Sequence, residues 1–169
     1  MNKLFACYLG GSFEGCSIEM HDLMFCVGNT LDECLPILKS KWAGDSLKLH
    51  IDSYIELLVV DNYEVIIISK KPKNDELKLY ALNVGWSEEG YFGERHCIEF
   101  VVASSENEAI KKVNNRNDKT NKIDFHIDNR MSVDNCITIT DQIDHKFYIS
   151  LIPTQTNTPN QIINCYKKI

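Results

Sequence analysis

Residues 4–28 read LFACYLGGSFEGCSIEMHDLMFCVG, and residues 79–103 repeat this pattern as LYALNVGWSEEGYFGERHCIEFVVA. The match extends without a gap over residues 4–42 and 79–117, with eleven identities at a constant offset of 75. The tripeptide His-Ile-Asp then recurs at an offset of 76, as residues 50–52 and 126–128. We therefore expect two related structural units that arose by internal duplication.

Each unit is predicted to follow the element order β-β-α-β-β. A β-rich run, a glycine-containing loop and a second run with period-two alternation predict the first two strands. A helix start follows at Thr30-x-x-Glu33 and at Ser105-x-x-Glu108, because both match the capping box. The pattern predicts an α+β protein with mainly antiparallel sheet and one helix per unit.

The end of each unit is predicted to be a strand followed by a hairpin. The His-Ile-Asp strand comes first, as 47–52 or 123–128, and the hairpin turns at Asp61-Asn62 or at Asp134-Asn135, which are residue types that favour turns. We expect residues 1–69 to form the first unit, 70–77 a polar linker, and 78–140 the second unit. Residues 141–169 are expected to supply a C-terminal strand at 146–152, which completes a sheet edge, and a polar tail.

Composition narrows the class of partner. The chain has 169 residues, a net charge of −6 and no basic stripe, which disfavours nucleic-acid and anionic-membrane partners. Its seven cysteines lack paired CxxC spacing, and Cys7, Cys26 and Cys34 fall in apolar patterns expected of a core. We expect a soluble cytoplasmic protein, since no apolar stretch is long enough for a membrane span. A small molecule, a protein partner and self-association all stay open.

The polar residues that recur in both units are Glu-x-His and His-x-Asp pairs. Imidazole and carboxylate groups bind divalent zinc, manganese or iron, and the same groups can act as general acid and base. The candidate metal ligands are Glu19, His21, His50 and Asp52 in the first unit, and Glu94, His96, His126 and Asp128 in the second.

Strand alternation predicts that the two pairs of one unit lie on opposite faces of a sheet. His21 shares its face with Leu23 and Phe25, which we take as the core face, whereas His50 alternates with Ile51. The pairs then converge only through a loop, through different sheets or across the two units. The alternative is that they are structural and hydrogen-bond backbone groups or each other.

The glycine loops at 10–15 and 85–90 lead into strands, so they do not match phosphate-binding loops, which lead into helices. Tight turning explains them, and a ligand or partner surface around them is the functional alternative. The candidate ligand-binding residues there are Ser12, Trp86 and Tyr91.

A family resemblance rests on the motifs YLGGS at 8–12, EMHD at 19–22, LHIDSY at 49–54 and the recurring Glu94-x-His96. Over roughly residues 3–140 the chain resembles the small bacterial family catalogued as domain of unknown function 1543, here in tandem copies. The second copy departs from the pattern, with Trp86 for Gly11 and Arg130 for Tyr54. The resemblance implies no activity, cofactor or partner. Two hypotheses follow: a metal or small-molecule site, either enzyme or sensor, and a non-catalytic module for protein interaction or self-assembly.

Overall fold

The computed structural model describes residues 1–73, 76–119, 132–156 and 159–169. These residues form two α-helices and ten strands whose pairings are all antiparallel, which confirms the predicted α+β class. The first half contains β1 (Lys3–Gly11), β2 (Met20–Gly28), α1 (Leu31–Lys41), β3 (His50–Glu56), β4 (Val59–Val60) and β5 (Tyr63–Ile68). The second half contains β6 (Lys78–Ser87), β7 (Glu94–Ala103), α2 (Glu106–Lys119), β8 (Ser132–Thr138), a short 3-10 helix (Ile139–Asp141), β9 (Tyr148–Pro153) and β10 (Ile162–Lys168).

The chain divides into two compact units, and the C-terminal segment returns to the first. The first unit comprises Met1–Pro72 together with Asp141–Ile169, and the second comprises Lys73–Thr140. β9, at the predicted C-terminal strand, pairs with β5. The predicted polar tail contains β10, which pairs with β3 and extends the first sheet to the order β10-β3-β1-β2. Backbone pairing along an open sheet edge therefore gives this polar segment a structure that its composition does not indicate.

The core of the first unit lies between this sheet and α1. Side chains from β1, β2, β3, α1 and the residues beside them meet there, and they are Phe5, Cys7, Leu9, Cys26, Cys34, Leu38, Trp42, Leu49 and Ile51. The three cysteines predicted to be core residues are indeed buried. A hydrogen bond with Cys26 and burial both raise the pKa of the Cys34 thiol, so these groups act as small apolar residues.

The predicted capping boxes and the first hairpin are confirmed. The Glu33 amide donates to Thr30 Oγ1 at 3.4 Å, and the Glu33 carboxylate accepts from the Asn29 amide at 2.9 Å. Glu108 repeats both contacts with Ser105 and Ser104. At the hairpin between β4 and β5, Asp61 and Asn62 have φ of 52° and 62°, as a tight turn with two left-handed residues requires.

The second unit has a three-stranded sheet in the order β7-β6-β8 among the described residues, with α2 packed against it. The predicted turn at Asp134-Asn135 is wrong, because β8 runs through both residues and Asn135 pairs with Asn83 of β6. The preceding predicted strand, 123–128, lies outside the described residues. β8 therefore pairs with β6 as β3 pairs with β1.

Candidate functional site

A glycine in the central strand of the first sheet lies between two histidines. Gly10 of β1 pairs with His21 of β2 on one side and with His50 of β3 on the other. The two flanking strands are about 10 Å apart, which is two strand spacings, so both imidazoles must extend over β1 in order to meet. A Cβ on Gly10 would lie 2.6 Å from His50 Nε2 and 2.9 Å from Asp52 Oδ2. The glycine thus leaves room for polar side chains, and the expectation of a turn at this position is wrong.

A β-bulge brings the Asp52 carboxylate to the same face. Leu9 pairs with Ile51 and Tyr8 pairs with Ser53, so Asp52 is the extra residue of β3. A bulge re-aims one side chain of a strand and is common beside functional sites. Here it places the carboxylate against Gly10.

All four predicted residues of the first unit are in contact. His21 Nε2 lies 3.3 Å from Asp52 Oδ2 and 3.8 Å from Glu19 Oε2. His50 Nε2 lies 3.1 Å from Glu19 Oε1 and 3.3 Å from Asp52 Oδ1. The contacts form a closed ring in which imidazole and carboxylate alternate. We name these four residues the first-unit cluster, and it contradicts the expectation that the two pairs lie on opposite faces.

That expectation was wrong because the wrong face of β2 was taken as the face toward the helix. Met24 and Cys26 face the helix core, whereas Phe25 and Val27 are buried on the other face, at 2% and 7% exposure. Because β2 is buried on both faces at this end, its leucine-phenylalanine-valine stripe does not identify the helix side. His21 therefore shares the face of His50.

His50 is the buried member of the cluster, with 2% of its surface exposed. Its Nδ1 contacts the carbonyl of Lys48 at 3.1 Å, and since a carbonyl only accepts, Nδ1 carries the proton and donates. Among the described residues, Nε2 of His50 and Oδ2 of Asp52 are buried and make no hydrogen bond. The side chains of His21 and Glu19, in contrast, are 38% and 43% exposed.

An aromatic ring contacts each histidine of the first-unit cluster. Tyr8 stacks on His21 with a centroid distance of 5.3 Å and an interplanar angle of 13°. Tyr166 of β10 contacts the His50 ring at 4.5 Å. Burial raises the pKa of Tyr8, and the charge of Asp52 adds to this effect. The sequence patterns did not identify Tyr166, because nothing in the polar tail indicates that it pairs with β3.

The second unit holds a related cluster of three residues. His96 Nε2 lies 3.3 Å from both Glu94 Oε2 and Asp134 Oδ2, and one ligand atom from each residue lies within 4.8 Å of the other two. Gly85 pairs with His96 as Gly10 pairs with His21, and a Cβ on Gly85 would contact Asp134 Oδ2. We name these three residues the second-unit cluster.

The second-unit cluster corrects the predicted equivalence of the His-Ile-Asp tripeptides. Gly85 pairs with Ser132, and Asp134 lies at the register shift, so Ser132 and Asp134 correspond to His50 and Asp52. The register therefore relates the third strands at an offset of 82, since 132 − 50 = 82, and not at 76. The predicted ligands His126 and Asp128 lie outside the described residues. Asp134 was not predicted because the identity of residues 50–52 and 126–128 indicated Asp128 instead, and the strand register is visible only in the structure.

The three residues proposed around the glycine loops make other contacts. The Ser12 carbonyl accepts a hydrogen bond from the Asp45 amide at 2.9 Å. Trp86 pairs with Arg95 and projects from the face of β6 opposite to Gly85. The Arg95 guanidinium lies 4.2 Å from the centroid of the exposed Tyr91 ring, a cation–π contact. A ligand-binding role for these residues stays a prediction.

No helix among the described residues is long and apolar enough to cross a membrane. No curated protein matches the chain. Among solved structures, the crystal structure of a protein Il1583 from Idiomarina loihiensis is similar, with a TM-score of 0.73 and 28% sequence identity. The alignment covers 99% of this chain and 97% of that chain. Residues 16–67, which contain the whole first-unit cluster, match the model of the Domain of Unknown Function (DUF1543) family, so the resemblance to this family is confirmed for that part of the chain.

Proposed function

We propose that the first unit binds one divalent metal cation through Glu19, His21, His50 and Asp52. The observation that carries the proposal is that the His50 Nε2 atom is buried and makes no hydrogen bond among the described residues. This nitrogen is buried, its ring donates through Nδ1, and two carboxylate oxygens approach it at 3.1 and 3.3 Å. A lone pair that faces two carboxylates without a hydrogen bond is unfavourable unless a positive charge lies between them.

A metal cation meets that requirement and suits the donor set. Two imidazoles and two carboxylates provide nitrogen and oxygen ligands, which zinc, manganese and iron all accept. With neutral histidines the cluster carries two negative charges, which a divalent cation balances. The Nδ1 contact to the Lys48 carbonyl matches the outer hydrogen bond that ordinarily orients a metal-binding histidine.

The site has a fixed half and an adjustable half. His50 and Asp52 are held against Gly10, whereas Glu19 and His21 are more exposed. Each carboxylate contacts both imidazoles through different oxygens. Ligation of one ion by all four groups therefore involves rotation of the exposed side chains toward His50. Their exposure also leaves the ion accessible to a small-molecule ligand, as an enzyme or a sensor requires.

The test is metal analysis of protein purified without a histidine tag, followed by calorimetric titration with Zn²⁺ and Mn²⁺. We expect about one equivalent of tightly bound metal per chain. His50→Ala and the near-isosteric Asp52→Asn should each remove it. His145→Ala is the matched control, because His145 lies outside both clusters and this variant should bind like the unmodified protein.

The result that would contradict the proposal is absence of binding by the unmodified protein. Nitrogen-15 NMR of the imidazoles would then identify a proton on His50 Nε2 as the positive charge in the cluster. If, in addition, His50→Ala and Asp52→Asn only lower the unfolding temperature, the recurring pairs are structural. That result would favour the hypothesis of a protein-interaction module.

A further inference from the structure

We infer that Tyr166 and Tyr8 are positioning residues of the first-unit cluster, one for each imidazole, and that the C-terminal strand is therefore part of the site. The inference rests on the proposed metal-binding function and names residues outside the ligand set. We expect the two tyrosines to orient the imidazole rings, and we expect neither of them to bind the metal.

The backbone of β10 is distorted where Tyr166 meets His50. Asn164 pairs with Ser53 and Lys167 pairs with Ile51, so Cys165 and Tyr166 form an irregularity opposite the bulge at Asp52. Tyr166 has a φ of 44°, which an aromatic residue rarely adopts. Outside turns, a left-handed conformation of a bulky residue costs conformational energy, and such residues cluster at functional sites. The distortion here results in contact of the Tyr166 ring with the His50 ring.

Three contacts restrict the orientation of His50. The Lys48 carbonyl accepts from Nδ1, Gly10 lies under Nε2, and the Tyr166 ring lies 4.5 Å from the imidazole centroid at an angle of 40°. The hydrogen bond fixes the tautomer but still permits the ring to tilt about it. A tyrosine ring against the imidazole limits that tilt and keeps Nε2 directed at the carboxylates.

Tyr8 restricts His21, the exposed imidazole, in the same way. The two rings are nearly parallel, at 13°, and both residues lie on the face of the sheet that contains Gly10. Because 38% of the His21 side chain is exposed, a stacking partner limits the rotamers available to it. The stacking therefore reduces the conformational entropy that is lost when His21 binds an ion.

The second unit offers an internal comparison. At the offset of 75, Asn83 replaces Tyr8, and by register Ser132 replaces His50. Among the described residues of the second unit, no strand pairs with β8 as β10 pairs with β3. Both tyrosine rings thus accompany the described cluster that has two imidazoles, as expected if their role is to orient them.

The experiment compares Tyr166→Phe, Tyr166→Ala and the control Ile163→Ala, which alters the same strand at an exposed residue paired with Tyr54. In metal-free protein, we expect the ring-current shift of the His50 Cε1 proton to persist in Tyr166→Phe and to disappear in Tyr166→Ala. With Co²⁺ as the probe, Tyr166→Ala should bind roughly 10- to 100-fold more weakly, the range for residues that orient metal ligands. Tyr166→Phe and Ile163→Ala should bind like the unmodified protein, and Tyr8→Ala should weaken binding with rescue by Tyr8→Phe.

Two results would overturn the inference. One is unchanged Co²⁺ affinity and an unchanged His50 signal in Tyr166→Ala. The other is equal weakening in Ile163→Ala, which would attribute the loss to a loosened strand. Failure of the unmodified protein to bind Co²⁺ would instead contradict the proposed function, and the metal-free spectra would still decide whether Tyr166 orients His50.

Discussion

Gly10 has no side chain, and the space that this leaves is taken by the side chains of His50 and Asp52. Its hypothetical Cβ lies 2.6 Å from His50 Nε2 and 2.9 Å from Asp52 Oδ2, and both distances are too short for non-bonded atoms. Glycine in a strand is ordinarily a weakness, because alanine loses less conformational entropy on folding. Its presence at both Gly10 and Gly85 is therefore explained by the clusters and not by strand stability.

We predict that Gly10→Ala weakens metal binding while the protein stays folded. The added methyl group displaces His50 and Asp52 from the fixed half of the site, so the metal affinity should fall by at least the roughly 10-fold seen when outer-shell partners are lost. Calorimetric titration with Zn²⁺ measures the affinity, and circular dichroism checks the fold.

Gly85→Ala is the matched control, since it places the same methyl group against Asp134 and His96 in the second unit. It should leave the tight metal site unchanged. Equal affinity in Gly10→Ala and the unmodified protein would show that the ion, if bound, does not depend on His50 and Asp52.

At the scale of elements, the predictions succeeded where they depended on local chemistry. The capping boxes at Thr30 and Ser105 require only groups within a few residues of one another, and both form as expected. The face of β2 depends on which side α1 packs against, and alternation alone does not contain that information. β10 was missed for the same reason, because its structure comes from pairing with a strand more than a hundred residues earlier.

The two units exchange a large and a small residue between the first strand and the helix. A Cβ on Gly11 would lie 2.8 Å from Cζ2 of Trp42, so the glycine leaves room for an indole that comes from the end of α1. At the offset of 75, Trp86 replaces Gly11 and Asn117 replaces Trp42. The indole thus comes from the strand in one unit and from the helix in the other.

We predict a pH-dependent contribution of the second capping box to stability. Hydrogen bonds from the Ser104 side chain and amide lower the pKa of Glu108 to about 2. A folded pKa below the unfolded value gives a stabilisation that is full above the unfolded value and is lost as pH falls through the folded pKa. The thermal midpoint of Glu108→Gln should therefore lie below that of the unmodified protein at pH 7, and the gap should close between about pH 4.5 and pH 2.

The control for this prediction is Glu106→Gln, which removes the same charge from the first turn of α2. It should show a smaller and less pH-dependent difference in thermal midpoint. A gap for Glu108→Gln that stays constant across this pH range would mean that the Ser104 contacts do not depend on the ionised carboxylate.

At the scale of the whole molecule, the two units contain a fuller and a reduced version of the same arrangement. Both units have the central glycine, the Glu-x-His pair and an aspartate at the register shift. Among the described residues, the first unit has in addition His50, the two tyrosine rings and the strand β10. Comparison of the two sequences alone predicted the Glu-x-His pair of each unit, but it placed the central glycine in a turn and did not identify Asp134. The sequence did not reveal the difference between the units. The tripeptide His126-Ile127-Asp128 is identical to residues 50–52, whereas Ser132-Val133-Asp134 shares only the aspartate with them.

The strand register makes this difference testable by a gain of function. Ser132 pairs with Gly85 as His50 pairs with Gly10, so Ser132→His should place a second imidazole beside Glu94, His96 and Asp134. We predict that the number of tightly bound Co²⁺ ions rises from about one to about two per chain, because the fourth ligand completes the donor set. Titration followed by the visible spectrum of Co²⁺ counts the sites.

Ser132→Asn, which adds a side chain without an imidazole, should leave the count at about one, and Ser132→His combined with His96→Ala should return it to that value. A count that stays at one in Ser132→His would mean that the third strands of the two units do not carry equivalent ligand positions.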